Sequence, residues 1–199
     1  MSLIKTFVDY SKLRLDLSIL IILPIILLFF SLNLISQLTL PLVTFTLIFV
    51  LFFRIFDDLM CIEYDKYFKE NRFYFDSKYL KDIKILSITC LILLLILAAI
   101  VSTKLLLPII LLFLLSYFLY KKLQDQKGIL FISLIKYPLF IYIISYHLNI
   151  ESHLWPLVIF GFFLVKELMD EQIIMNNNLL KYSIIISALS FKAINWSQA

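Results

Sequence analysis

The chain has 199 residues, of which 62% are hydrophobic and 16% charged, and carries a formal net charge of +4. A mean hydropathy of +0.99 is more apolar surface than a soluble domain of this length could bury, which excludes a soluble globular protein and marks an integral membrane protein. With glycine only at Gly128 and Gly161, glycine-rich phosphate loops and dinucleotide fingerprints are excluded, and Cys61 and Cys90 form no CxxC or Cys/His cluster that would imply a disulfide framework or a zinc site.

Met1 to Asp16 mixes Lys5, Lys12 and Arg14 with Phe7 and Tyr10 and reads as a short amphipathic lead-in lying against the membrane. The apolar run Leu17 to Ile35 follows. At 1.5 Å per residue it extends roughly 28 Å, enough to span, and no small-x-small cleavage site follows it, so it is expected to stay as a first helix rather than leave as a signal peptide. Pro24 lies inside that helix, where a membrane environment tolerates it with a kink. After the connector Gln37 to Leu40, a second span runs from Pro41 to Phe56 and delivers an acidic stretch at its far end. A long loop, Asp57 to Asp82, in which Asp76 and Asp82 are expected to be solvated, leads to a third span, Ile83 to Val101. The fourth, Leu105 to Tyr120, follows closely as the second arm of a hairpin. Lys121 to Gly128 is a charged connector to the fifth span, Ile129 to Leu148, and Asn149 to His153 leads to a sixth, Leu154 to Val165. Leu179 to Ala193 is a seventh candidate, short and interrupted by Ser183, Ser187, Ser190 and Lys192. No repeat, low-complexity tract or soluble domain interrupts this order. The expected fold is all-α, a polytopic transmembrane helical bundle of six to seven spans forming a single domain over residues 1–199.

Lys and Arg concentrate in the lead-in, the second-to-third loop, the fourth-to-fifth loop and the segment after the sixth span, whereas the alternate loops hold only Lys104. The richer loops are therefore expected on the cytoplasmic side. An even number of spans separates the acidic stretch at Asp57 from a second one at Glu167, so both emerge on one face of what is expected to be the cell (inner) membrane.

The first acidic stretch, Arg54-Ile-Phe-Asp57-Asp58-Leu-Met-Cys61-Ile-Glu63-Tyr-Asp65, gathers more carboxylates than any other part of the chain. If the second helix continues past Phe56, Asp58, Cys61 and Asp65 fall at i, i+3 and i+7 on one face. Clustered carboxylates raise one another's pKa and are tolerated where a cation such as Mg²⁺ neutralises them, and Mg²⁺ in turn grips substrate phosphate. A solvated, charge-mixed loop is the competing account. Lys136, deep in the fifth span beside Pro138, is either a functional intramembrane cation or a lysine that snorkels to the cytoplasmic side. His147 and His153 flank the outer loop with no carboxylate pair beyond Glu151, a poor basis for a metal site.

Two acidic motifs placed after the second and sixth spans resemble the UbiA-type intramembrane prenyltransferases, whose first motif has the form N/D-D-x-x-D-x-x-x-D. Arg54, Phe56, Asp57, Asp58, Asp65, Phe68 and Arg72 match one branch of that family, with Cys61 where an Asp is expected and with Tyr74, Phe75, Asp76 and Ser77 in place of a Pro- and Gly-containing stretch. Lys166, Glu167, Asp170 and Glu171 are similar to the second motif, and Tyr117-Phe-Leu-Tyr120-Lys121 to the family's Tyr/Lys segment. The resemblance covers roughly residues 15 to 190. It implies Mg²⁺ held by Asp57, Asp58, Asp65 and Asp170, with Glu167 as a further catalytic carboxylate, an isoprenoid diphosphate held by Arg54, Lys69, Arg72, Lys121 and Lys166, and transfer of the prenyl group to a small, possibly aromatic acceptor. Nucleic acid is not an expected partner. The family's last helices have no counterpart, so a neighbouring copy could complete the wall, a shorter bundle could suffice, or the chain could be a non-catalytic relative. A CDP-alcohol phosphotransferase lacks its D-G-x-x-A-R signature here. A transporter would need more charge within the spans than Lys136 alone.

Overall fold

A computed structural model describes residues 3–14, 17–32, 37–62, 77–123 and 126–148. These residues are helical almost throughout, without strands: α1 (Leu3–Arg14), α2 (Leu17–Ser31), α3 (Leu40–Met60), α4 (Ser77–Val101), α5 (Leu106–Lys122) and α6 (Gln126–His147), with a 3-10 turn, Thr103–Leu105, between α4 and α5. Three helical stretches are long and apolar enough to cross a membrane, Leu40–Met60, Tyr79–Val101 and Thr103–Lys122, and Ile21–Ser31 is a shorter apolar helix. The expected sixth span and seventh candidate lie outside the described residues.

The chain divides into two compact units, one of Met1–Ile26 and Thr39–Gln124, the other of Leu27–Leu38 and Asp125–Ala199. In the first, α3 is the central helix. Thr39 caps its N-terminus, its hydroxyl oxygen accepting from the Leu42 N–H at 3.4 Å, and Pro41 sits in the first turn where its missing N–H costs nothing. Leu42, Phe45, Thr46, Phe49, Val50, Phe52, Phe53 and Phe56 are buried, a helical-period series broad enough to occupy more than one face. Of α3's apolar window 56% is buried, against 28% for each of the other two, so α3 is the more enclosed helix and the other two turn apolar surface outward, as is compatible with contact with a bilayer.

α4 packs along α3 and also meets α1. Ile83, Ser87, Cys90, Leu94 and Ala98, at helical spacings of four, three, four and four, are its buried stripe, while Ile85, Ile88, Ile92, Ile96 and Ile100 are exposed on the opposite side. Thr46 and Ser116 satisfy their hydroxyls on the carbonyls of Leu42 and Leu112, each at 2.8 Å, so that buried polar atoms on α3 and α5 cost little in an apolar setting. In the second unit, Leu27, Leu28, Phe30 and Leu32 are buried, as are Ile132, Leu134, Phe140, Ile141 and Ile144 on α6, and the Ser145 hydroxyl donates to the Ser31 carbonyl at 3.3 Å.

Several expectations are corrected. The first span stops at Ser31 rather than running to Ile35, about 22 Å of helix at 1.5 Å per residue. α4 begins at Ser77, not Ile83, and carries Asp82 within it. Asp82 is no solvated loop charge, because the Thr6 hydroxyl donates to its Oδ2 at 2.7 Å. Lys136 is fully buried, with Nζ 5.4 Å from the centre of the Tyr137 ring, and does not snorkel outward. α3 ends at Met60 with Cys61 as its C-cap at φ −94°, ψ 5°, so the uninterrupted helix expected to carry Asp58, Cys61 and Asp65 on one face is broken at Cys61.

Candidate functional site

Asp57 and Asp58 occupy the last turn of α3, where a helix leaves backbone carbonyls pointing outward and a carboxylate gains nothing from the helix dipole. Both are buried nonetheless, at 8% and 4% exposure. Burial of a carboxylate requires donors, and two tyrosines from other helices supply them. The Tyr10 hydroxyl of α1 donates to Asp58 Oδ2 at 2.7 Å, and the Tyr120 hydroxyl of α5 donates to Asp57 Oδ1 at 2.8 Å. Adjacent residues on a helix point about 100° apart, so the two carboxylates are aimed at different neighbours. Asp57 faces α5 and Asp58 faces α1.

A second hydrogen bond sets the position of α1. Thr6 and Tyr10 are one helical turn apart and both buried, the first on Asp82 of α4 and the second on Asp58 of α3. One face of α1 is thus bonded to the end of α3 and the beginning of α4, which are the two helix ends flanking the first acidic stretch.

Behind Asp57 the rings of α3 and α5 form a continuous aromatic wall. Phe52 and Phe56 are stacked at 5.7 Å between ring centres, Phe56 meets Phe113 edge-on at 5.3 Å and Tyr120 at 5.9 Å, and Tyr117 continues the wall 6.5 Å from Phe113. Lys121 Nζ lies 4.8 Å from the centre of the Tyr117 ring, within the range of a cation–π contact, and its residue is otherwise exposed. Arg54 is half-buried with its Nε shielded from solvent, one turn below Asp57 and Asp58 on α3.

The structure therefore brings Asp57 and Tyr120 together directly, with Lys121 next in sequence on α5, and places Arg54 on the same helix one turn away. Asp65, Lys69, Arg72, Lys166, Glu167 and Asp170 lie outside the described residues. Among the described residues no group of three or more His, Cys, Asp or Glu side chains comes together to hold a metal. The described donors are two carboxylates, hard oxygen ligands of the kind Mg²⁺ takes singly or in pairs while substrate phosphate completes its shell. Cys61, the helix cap, adds no hard ligand.

Sequence reasoning missed Thr6, Tyr10 and Asp82. The spacing of Thr6 and Tyr10 on the side of α1 away from Lys5 and Lys12 was the available signal, but nothing local says that such a face meets carboxylates so far along the chain. Compared with known proteins, the chain matches no protein-family model, no curated protein and no solved structure.

Proposed function

We propose that this protein is a UbiA-like prenyltransferase, which moves a prenyl group from an isoprenoid diphosphate to a small acceptor at the cytoplasmic side of the cell (inner) membrane, on a bundle of six to seven spans. The observation that carries the reading is the buried pair Asp57 and Asp58 at one end of α3, set against the aromatic wall of Phe52, Phe56, Phe113 and Tyr117. Carboxylates at a membrane face and an apolar, electron-rich wall beside them are the two environments that ionisation of an allylic diphosphate needs.

In that reaction the allylic C–O bond breaks and its electron pair leaves with the diphosphate. The acceptor's nucleophilic atom then bonds to the allylic carbon, and its proton passes to water. Asp57 and Asp58, with Asp65, Asp170 and Glu167 from the two acidic motifs, would hold Mg²⁺, which when bound neutralises the leaving diphosphate. Arg54, Lys69, Arg72, Lys121 and Lys166 would donate to diphosphate oxygens, the arginines with bidentate geometry. Ring faces of the aromatic wall would stabilise the allylic cation and exclude water from it. The tyrosine hydroxyls of Tyr10 and Tyr120 hold the two aspartates in place before donor arrives.

The test is Mg²⁺-dependent diphosphate release and donor binding with a labelled allylic diphosphate, for the parent protein, Asp58→Ala, Asp170→Ala and the double variant. Each single change is expected to lower release about a hundredfold or more, as loss of a group stabilising the leaving charge does, with little further loss in the double. Removing the metal with a chelator should have the same effect. Absence of donor binding in the parent, or binding indifferent to both changes, overturns the proposal.

A second reading has one observation in its favour: each buried aspartate commits an oxygen to a tyrosine from another helix, as an interhelical fastener would. On that reading the protein is a non-catalytic membrane component. It predicts that Asp58→Ala lowers stability while donor binding is absent throughout.

A further inference from the structure

α1 has a second face that the tyrosine and threonine contacts leave outward. Ile4 is 75% and Val8 41% exposed, and Lys5 and Lys12 are exposed beside them. At about 100° per residue these four fall within roughly 100° of the helix circumference, opposite Thr6 and Tyr10. Asp9 lies at the margin of this arc and is half-buried. Its position is set by the bonds on the inner face: Asp58 is in the last turn of α3 and Asp82 in the second turn of α4, so α1 lies at the ends of two apolar helices long enough to cross a membrane. That level is where hydrocarbon gives way to headgroups.

Isoleucine and valine on the outer face are unfavourable in water, and two lysines on the same arc are unfavourable in hydrocarbon. A bilayer surface satisfies both, the apolar pair entering the acyl boundary and the lysine stems reaching up to phosphate. We infer that the outer face of α1 binds the surface of an anionic bilayer, with Ile4 and Val8 inserted and Lys5 and Lys12 on lipid phosphates. A second copy of this chain is a worse occupant, because a two-fold contact on this face would set the lysines of one copy near those of the other. Lipid seated on this face also fixes Thr6 and Tyr10, on the same helix, against Asp82 and Asp58. The inference rests on the placement of α1 and not on prenyl transfer.

It is tested on the full chain with Cys61 and Cys90 replaced by Ala and an environment-sensitive dye on Val8→Cys, in nanodiscs of phosphatidylcholine alone or of an equimolar mixture with phosphatidylglycerol. In the mixture the dye is expected to shift to the blue and become accessible to a lipid-borne quencher and protected from iodide. Each lysine at an anionic surface favours the seated position roughly five-fold, so Lys5→Glu with Lys12→Glu should return the dye to iodide. Ile4→Cys, labelled in the same way, reads the same face if the first variant fails to fold. Equal iodide quenching in both lipids overturns the inference. So does seating that survives both lysine changes, or protection from both quenchers that grows with the number of copies per disc.

Discussion

A tyrosine hydroxyl is a neutral donor, and when it donates to a buried carboxylate it stabilises charge without cancelling it. Tyr10 on Asp58 and Tyr120 on Asp57 are of this kind, and each joins a different helix to the end of α3. A hydrogen bond to a charged group contributes about 1.5–3 kcal/mol, and leaving the acceptor buried without its donor costs a similar amount. Tyr10→Phe and Tyr120→Phe are therefore each expected to lower stability by about 2 kcal/mol, read from thermal unfolding in detergent. Combining Tyr10→Phe with Asp58→Ala should cost less than the sum of the two single changes, since one bond is lost only once. Strict additivity would mean that the pair does not interact in the folded protein. These partners were not legible in the sequence. The carboxylates announced themselves by their clustering after an apolar run, but their donors stand 48 and 63 residues away, and no local pattern links them.

At the scale of the helices, the apolar runs located α2 to α6, because a stretch that must lie in hydrocarbon leaves a signal in each of its residues. Their ends were less legible. α4 starts in Ser77-Lys-Tyr-Leu-Lys-Asp82, a segment polar enough to read as loop, which is held as helix where α1 bonds to it. The same helix shows why packing is read better from small residues than from large ones. Ala98 is fully buried on the α4 stripe, whereas Ile96, two residues earlier, is 51% exposed. Ala98→Leu is expected to overpack the stripe and destabilise by about 1–3 kcal/mol, whereas Ile96→Leu should stay within about 0.5 kcal/mol. Thermal unfolding of both variants in the same detergent checks the contrast, and equal effects would mean that α4 presents a different face to α3.

For the whole molecule the main expectation is topological. α1, the end of α3, the start of α4 and the end of α5 belong to one face, and the turn at Lys104 belongs to the other. With Cys61 and Cys90 removed, single cysteines at Lys5 and Lys122 should react with a membrane-impermeant maleimide from the cytoplasmic side only, and one at Lys104 from the outside only. Labelling of Lys5 and Lys122 from opposite sides would separate Tyr10 from Tyr120 across the bilayer and would be incompatible with both bonds to α3. The expected orientation rests on the Lys and Arg distribution alone, a property of loops that the labelling reads directly. Whether the two acidic stretches share a site has no local signature in the sequence, because it depends on how distant helices meet.

The two aspartates of α3 also differ in when they can be satisfied during synthesis. Tyr10 has already left the ribosome when Asp58 is made, so that bond can close as soon as α3 reaches the bilayer. Asp57 must wait for Tyr120, 63 residues later. A buried carboxylate that lacks one of its hydrogen bonds is costly at the edge of hydrocarbon, so α3 is expected to seat less firmly until α5 has been delivered beside it. A nascent chain arrested after Lys104 should accordingly leave α3 extractable by alkali or urea, and one arrested after α5 has cleared the ribosomal exit tunnel should not. That outcome would mean that the insertion machinery shelters one helix until another arrives, with the tyrosine at the end of α5 marking the point of release.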